Sequence, residues 1–336
     1  MKKRILALTL ALAMVFSLAA CGNKTEETKA ADAAGEEAIT LEVAYMPNYG
    51  SLWAVTTAIE KGYFAEEGIT VNLTSFQDGP TIIAAMESGS IDIGYIGQGA
   101  HKLCINGNAK IFALSHISNG DAVIGGPEVK TLADLKGKKV AYSSGTSSED
   151  ILKNALAKAD LTMDDIEAVE MEAANIVTAM LSGGVDACAT WSPNSLKILE
   201  EGTDVTLLCD NKTFIDTTVS LASWIVTPSY ADANAETILK FTKALYKAMD
   251  YAADANYDEV AGFVADVTKT DYDSVYAQRG DADWLTGAEV AAGCEDGTVA
   301  AYYQLQQDNF IAAGAVEKAV ALEDYIMFDN MKNAAK

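Results

Sequence analysis

The stretch Lys138-Lys-Val-Ala-Tyr-Ser-Ser-Gly-Thr-Ser-Ser-Glu-Asp150 decides how the fold is read. Val140, Ala141 and Tyr142 form a short buried strand, and a Ser/Gly/Thr turn follows. A helix then begins, with Ile151, Leu152, Ala155, Leu156 and Ala159 on one face at a 3.6-residue period. Ser147 or Ser148 is the natural N-cap, with Glu149 and Asp150 in the first turn. Unpaired backbone N–H groups at such a helix start suit an oxyanion, although an ordinary strand-to-helix turn is built the same way. Its weight comes from a second copy upstream.

The upstream unit runs as a strand over 41–46, a turn over 47–51, and a helix through Trp53, Thr57 and Ile59 that closes at Gly62. A strand over 69–73, a helix over 81–88 stopped by Gly89, and a strand over 91–96 follow. The downstream unit repeats the order: strand, turn and helix to Ala159, a strand near 166–170, a helix over 175–182 stopped by Gly183-Gly184, and a strand over 185–190. Val43-Ala-Tyr45 matches Val140-Ala-Tyr142. Ala85-Met-Glu-Ser-Gly-Ser-Ile-Asp92 matches Ala179-Met-Leu-Ser-Gly-Gly-Val-Asp186, at the nearly equal offsets of 97 and 94 residues.

Each unit is a β-α-β-α-β run, which predicts a parallel sheet with right-handed crossovers. Ligands of such sheets bind beyond the carboxyl ends of the strands, so a cleft between two similar lobes is the expected site. Residues 112–126, apolar and then Gly-rich, suit a strand crossing between lobes, and 219–226 is long enough to cross back. Two crossings make a hinge, with closure as the expected motion. From Asn234 onward the pattern is helical: Ile238, Phe241, Leu245 and Met249 share a face, and later helices are expected over 299–311 and 322–331. This tail should pack on the first lobe.

Residues 1–20 read as an export signal, with Lys2, Lys3 and Arg4 before an apolar run that ends in Leu18-Ala-Ala-Cys21. That ending resembles the lipobox of bacterial lipoproteins, which implies lipidation of Cys21 and a membrane anchor that does not span the bilayer. A polar, Ala/Glu-rich tether over 21–38 follows. The expected division is 39–124 for lobe one, 125–221 for lobe two, and 222–336 for the return crossover and helical remainder of lobe one. A body of about 300 residues exceeds one comfortable core.

The formal net charge is −24, and loss of the signal's three basic residues makes it more negative. Such a surface repels nucleic acid and anionic head groups. Cys104, Cys188, Cys209 and Cys294 lack paired or metal-ligand spacing, and Cys188 and Cys209 lie in apolar runs as buried thiols. His101 and His116 are the only histidines. No G-x-S-x-G elbow, H-E-x-x-H helix or P-loop occurs, so neither catalytic residues nor a metal or cofactor is expected.

Four motifs in order carry a family resemblance: Lys61-Gly-Tyr-Phe-Ala-Glu-Glu-Gly68, Ser88-Gly-Ser-Ile-Asp-Ile-Gly-Tyr-Ile-Gly97, Leu132-Ala-Asp-Leu-Lys-Gly-Lys-Lys-Val140 and Gly145-Thr-Ser-Ser148. The chain resembles the solute-binding proteins of ABC importers, in the nitrate/sulfonate/taurine and thiamine-pyrimidine branch. The resemblance implies an α/β, two-lobe type II periplasmic-binding-protein fold, a ligand in the interlobe cleft, and delivery to permease subunits at the outer face of the cytoplasmic membrane. It places ligand loops on Asn48, Tyr49 and Ser51; on Gln98 and Gly99; on Ser144, Thr146 and Ser147; and on Trp191 and Asn194. Hydroxyls and backbone amides there suit a small polar ligand, with Tyr49, Trp53, Tyr95 and Trp191 as apolar wall. Sulfonate binders of this family commonly carry His or an uncharged residue where this chain has Glu149-Asp150. Carboxylates facing the cleft would favour a zwitterion or neutral heterocycle over a simple anion. No Arg falls in the four loops, and Lys102 is the nearest base. An enzyme of the thiamine-pyrimidine synthase kind and a binder feeding a receptor are the alternatives.

Overall fold

Two aspartates 94 residues apart show how the repeat is built. Asp92 Oδ2 accepts from the Glu42 N–H at 2.9 Å, and the Asp92 N–H donates to the Glu42 carbonyl at 2.9 Å. Asp186 does the same with Lys139, at 2.8 Å in both directions. Two serines 97 residues apart form a second equivalent pair. Ser51 Oγ accepts from the Met46 N–H and Ser148 Oγ from the Ser143 N–H, both at 3.0 Å. Gly89 (φ 77°) and Gly183 (φ 71°) end the corresponding helices in the left-handed region, where a Cβ is disfavoured.

The computed structural model describes residues 38–336. The expected signal, Cys21 and residues 22–37 lie outside the described residues. The first unit comprises β1 (Ile39–Tyr45), α1 (Tyr49–Glu60), β2 (Ile69–Ser75), α2 (Gly79–Glu87) and β3 (Ile93–Ile96). β4 (Lys110–Ser118) and β5 (Asp121–Gly125) come next. The second unit is β6 (Lys139–Tyr142), α3 (Ser147–Lys158), β7 (Glu167–Glu170), α4 (Ala173–Leu181) and β8 (Ala187–Trp191). α5 (Asn194–Glu201), β9 (Thr206–Asp210), β10 (Leu221–Val226), α6 (Ala235–Ala253), β11 (Ala282–Trp284) and α7 (Thr298–Ala312) complete the elements used here.

One sheet has the order β11-β4-β10-β3-β1-β2 and the other β7-β6-β8-β5-β9. Within each unit the pairing is parallel, β1 with β2 and β3, β6 with β7 and β8. Each sheet then takes an antiparallel strand that the chain delivers after leaving the other sheet: β10 joins β3 and β4, and β5 joins β8 and β9. The expected crossing strand over 112–126 is therefore two strands, one per sheet, broken at Asn119-Gly120. The return is made by residues 211–220 rather than by β10, which lies wholly in the first sheet.

Side-chain alternation sets the layers of the second sheet. Val123 and Val140 face α3 through Ile151, Leu152 and Leu156, whereas Ala122, Ile124 and Ala141 face α4 and α5 through Ile176, Met180 and Ile198. On the first sheet, α6 buries Ile238, Phe241, Leu245 and Met249 completely, as the periodicity predicts. Phe241 packs tilted against Phe64 and edge-on against Phe112 and Trp224, with ring centroids 4.6, 5.9 and 5.9 Å away. Each such side chain contributes about 1.5–3 kcal/mol. The helix expected over 322–331 is interrupted, because the Met327 N–H donates to the Ile111 carbonyl at 2.8 Å and Ile326 forms an isolated bridge to the same residue. Among the described residues no helix is long and apolar enough to cross a membrane.

Candidate ligand cleft

The cleft is built where the strands of both units end. β1 leads to Met46, Asn48 and Gly50, and β3 to Gly97, Gln98, Gly99 and Ala100. β6 leads to Thr146 and Ser147, and β8 to Trp191 and Ser192. The crossing segments add Ser118, Gly120 and Ser220. Together these surround a cavity of about 670 Å³, its mouth included. The two sides touch, since a Cβ on Gly99 would lie 2.2 Å from the Thr146 carbonyl carbon and 2.5 Å from its oxygen. Only glycine permits that approach.

Of the residues expected at the site, Asn48, Gln98, Gly99, Thr146, Ser147 and Trp191 line the cavity, and Tyr49, Ser51, Ser144 and Asn194 do not. Ser51 is fully buried because its hydroxyl serves the Met46 N–H. Tyr49 is also buried. Its N–H donates to Gln278 Oε1 at 2.9 Å, and its ring meets Trp284 edge-on at 5.1 Å. Ser144 is exposed, and Asn194 donates to the Ala173 carbonyl at 3.2 Å, pinning the start of α4. Trp53, expected as wall, lies in the core with its indole N–H on Ser115 Oγ at 3.1 Å.

The N-cap of α3 is Thr146, not Ser147 or Ser148. Its hydroxyl donates to the Ser143 carbonyl at 2.7 Å and accepts from the Ser148 N–H at 3.3 Å, so the turn itself uses it. Ser148 Oγ donates to the Ala189 carbonyl at 2.8 Å. Ser147 Oγ donates to Asp121 Oδ1 at 2.5 Å, and Asp121 Oδ2 accepts from Asn211 at 2.9 Å and Ser220 at 3.2 Å. One buried carboxylate on the first crossing thus ties α3 to the return crossing. Burial pushes its pKa up, and the three donors pull it back. Gln98 Oε1 accepts from the Leu221 N–H at 3.1 Å and from Gln306 Nε2 at 2.5 Å, which fixes the amide above the buried cluster of His101, Ser223 and Tyr303.

Glu149 and Asp150 do not line this cavity. Glu149 accepts from the Gly145 N–H at 2.7 Å and pairs with Lys153 at 2.5 Å and Lys102 at 3.7 Å. Asp150 lines a second cavity of about 560 Å³ beside Lys153 and Phe214. Burial raises its pKa to about 7.

Several lining residues lie outside the four expected loops, among them Asp78, Gly79 and Pro80 after β2 and Ala222 on β10. His116 stands on β4 beside Ser118, while Gln278, Asp281 and Trp284 come from the tail. Tyr95, weighed above only as wall, joins His116 through its hydroxyl at 3.4 Å. Trp284 reaches the cleft because β11, a strand absent from the helical expectation, pairs antiparallel with β4 and sets Trp284 opposite His116. Their rings are 4.9 Å apart. Burial drives the His116 pKa down to about 3, so the ring is neutral. No Lys or Arg lines the cavity, whereas Asp78 and Asp281 do. The only sequence signal for β11 is the three-residue Ala282-Asp-Trp284, too short to separate from a loop.

A family model described as NMT1/THI5 like matches residues 51–256, a span from within α1 to just past the end of α6 that takes in every strand but β1 and β11. The chain belongs to the NMT1/THI5-like family. A putative binding protein of Brucella abortus (strain 2308) is 29% identical over 330 residues, covering 98% of both chains. Among solved structures, the alkanesulfonate-binding protein SsuA from Xanthomonas axonopodis pv. citri, bound to MOPS, superposes with a TM-score of 0.66 at 21% identity, over 87% of this chain and 99% of that one. The periplasmic nitrate-binding protein NrtA from Synechocystis PCC 6803 gives 0.73 at 14% identity, over 89% of each. The desulfurization enzyme DSZB gives 0.64 at 17%, over 88% of this chain and 99% of that one, so the fold also serves catalysis. At these identities the structures establish the periplasmic-binding-protein fold of this NMT1/THI5-like chain and nothing finer about its ligand.

Proposed function

We propose that the protein is the exported, lipid-anchored solute-binding component of an ABC import system. It captures a small polar molecule between its lobes and delivers it to a permease. The single observation that carries this reading is the cavity of about 670 Å³ lined from both repeats and from both crossings, with Gly99 against Thr146 at its edge. A site shared by two lobes on two connecting segments couples occupancy to closure. The likeness in fold to SsuA and NrtA supports the transport role, and the ligands those proteins are named for, alkanesulfonates and nitrate, together with pyrimidines, delimit the first compounds to test. Attachment through Cys21 would keep the binder near its permease at high effective concentration.

Native mass spectrometry of the protein as purified, with thermal shift against sulfonates, taurine, nitrate and pyrimidines, tests the assignment. Retention or stabilisation without turnover is the expected result. Conversion of any of these compounds to product would replace this reading with the enzymatic one.

A further inference from the structure

We propose that the ligand is an organic cation: its protonated nitrogen sits against Asp281, and its frame lies between Trp191 and Trp284. This rests on the cleft being the ligand site. Asp281 lines the cavity beside Gly120 of the crossing segment. A Cβ on Gly120 would lie 3.2 Å from Asp281 Cβ and 3.4 Å from Ser192 Cβ, so Asp281, Gly120 and Ser192 close on one another. The fold uses the backbone of Asp281, whose carbonyl accepts from the Asn119 N–H at 2.6 Å. It does not use the carboxylate in full: Oδ2 is buried without a well-formed hydrogen bond among the described residues, and so is the neighbouring Ser192 hydroxyl, the one side-chain donor that influences it. A buried acceptor left open in a binding cavity is a place for a donor from the ligand.

The surroundings set the sign of the charge. With His116 neutral, the cavity lining holds no positive side chain, and Asp78 and Asp281 make it negative. Burial raises Asp281 to about 6, the Ser192 hydroxyl beside it pulls the value back, Asp121 adds to the rise and Lys212 opposes it, so the group is ionised at neutral pH. A sulfonate or nitrate placed there would meet an unpaired carboxylate and no compensating base. Trp191 and Trp284 are half-buried and line the cavity from opposite lobes, and aromatic faces attract cations. Negative charge is thus present in the cleft, but on Asp78 and Asp281 and not on Glu149 or Asp150.

Calorimetry with benzylammonium, tetramethylammonium, taurine, ethanesulfonate and nitrate tests the assignment, alongside native mass spectrometry of the purified protein. Benzylammonium should bind, tetramethylammonium, which has no N–H to give Oδ2, should bind more weakly, ethanesulfonate and nitrate should not bind, and any retained molecule should carry a basic nitrogen. Asp281→Asn keeps the shape and should weaken cation binding at least tenfold. Trp191→Leu, at a position outside the Asp281 contacts, should weaken it several-fold. Tighter binding of ethanesulfonate or nitrate than of either cation, or a retained sulfonic acid, would overturn the charge assignment while leaving solute binding intact. Unchanged cation affinity in Asp281→Asn would also overturn it. Failure of every compound, with nothing retained, would defeat the solute-binding reading as well.

Discussion

Gly99 sets the sharpest test of closure. A methyl group at this position would lie 2.2, 2.5 and 2.6 Å from the carbonyl carbon, carbonyl oxygen and Cα of Thr146, on the opposite side of the cleft. Ordinary carbon contacts stand at about 3.5 Å or more, so the lobes of Gly99→Ala must part by over about 1 Å at this edge. Gly99 is absent from the positive-φ positions, so alanine is free to adopt its backbone and each lobe folds as before. The penalty falls on the closed form alone. Overpacking of this size costs about 1–3 kcal/mol, which corresponds to roughly a 5- to 150-fold rise in Kd. Calorimetry with the ligand that co-purifies, and small-angle scattering of the loaded protein, read the two consequences. We expect weaker binding, a larger radius of gyration in the loaded state, and a ligand-free Tm unchanged within about 2 °C. An unaltered Kd with superimposable scattering would show that the Gly99–Thr146 contact plays no part in capture.

Three further outcomes follow from buried polar groups. Asp150 holds its proton more tightly when folded, with its pKa raised from 3.8 to about 7, so it favours folding at low pH and loses that advantage as pH rises through 7. Asp150→Asn should therefore gain about 2.5 kcal/mol over wild type between pH 5 and pH 8 in urea melts, and a pH-independent difference would refute the assignment. Thr146→Val removes the α3 cap and should lower stability by about 1 kcal/mol in the same melts. Ser223→Ala leaves His101 Nε2 and the Tyr303 hydroxyl, now 2.8 and 2.7 Å from Ser223 Oγ, without that partner. It should cost about 1–3 kcal/mol by denaturant titration.

Sequence alone reached the repeat because its signals are local. Ser51 and Ser148, and Asp92 and Asp186, sit at fixed offsets within units that close their own turns, and the structure shows each pair making the same bonds. The same locality misled at the site. Thr146 and Ser51 look like donors for a ligand, yet their hydroxyls satisfy backbone groups within five residues. Trp284 and Asp281 were illegible because their role comes from a strand of three residues whose partner, β4, lies over 160 positions earlier. The crossings were located only to within a strand, because periodicity does not reveal which sheet a strand joins.

The placement of the four tryptophans makes the protein its own optical gauge. Trp53 and Trp224 are each only 1% exposed in the core of one lobe, a constant background. Trp191 and Trp284 face the cavity from opposite lobes. Ligand entry changes the surroundings of both at once, so intrinsic emission should follow capture in real time without a dye. Replacing Trp191 with Phe would then separate the signal of one wall from that of the other.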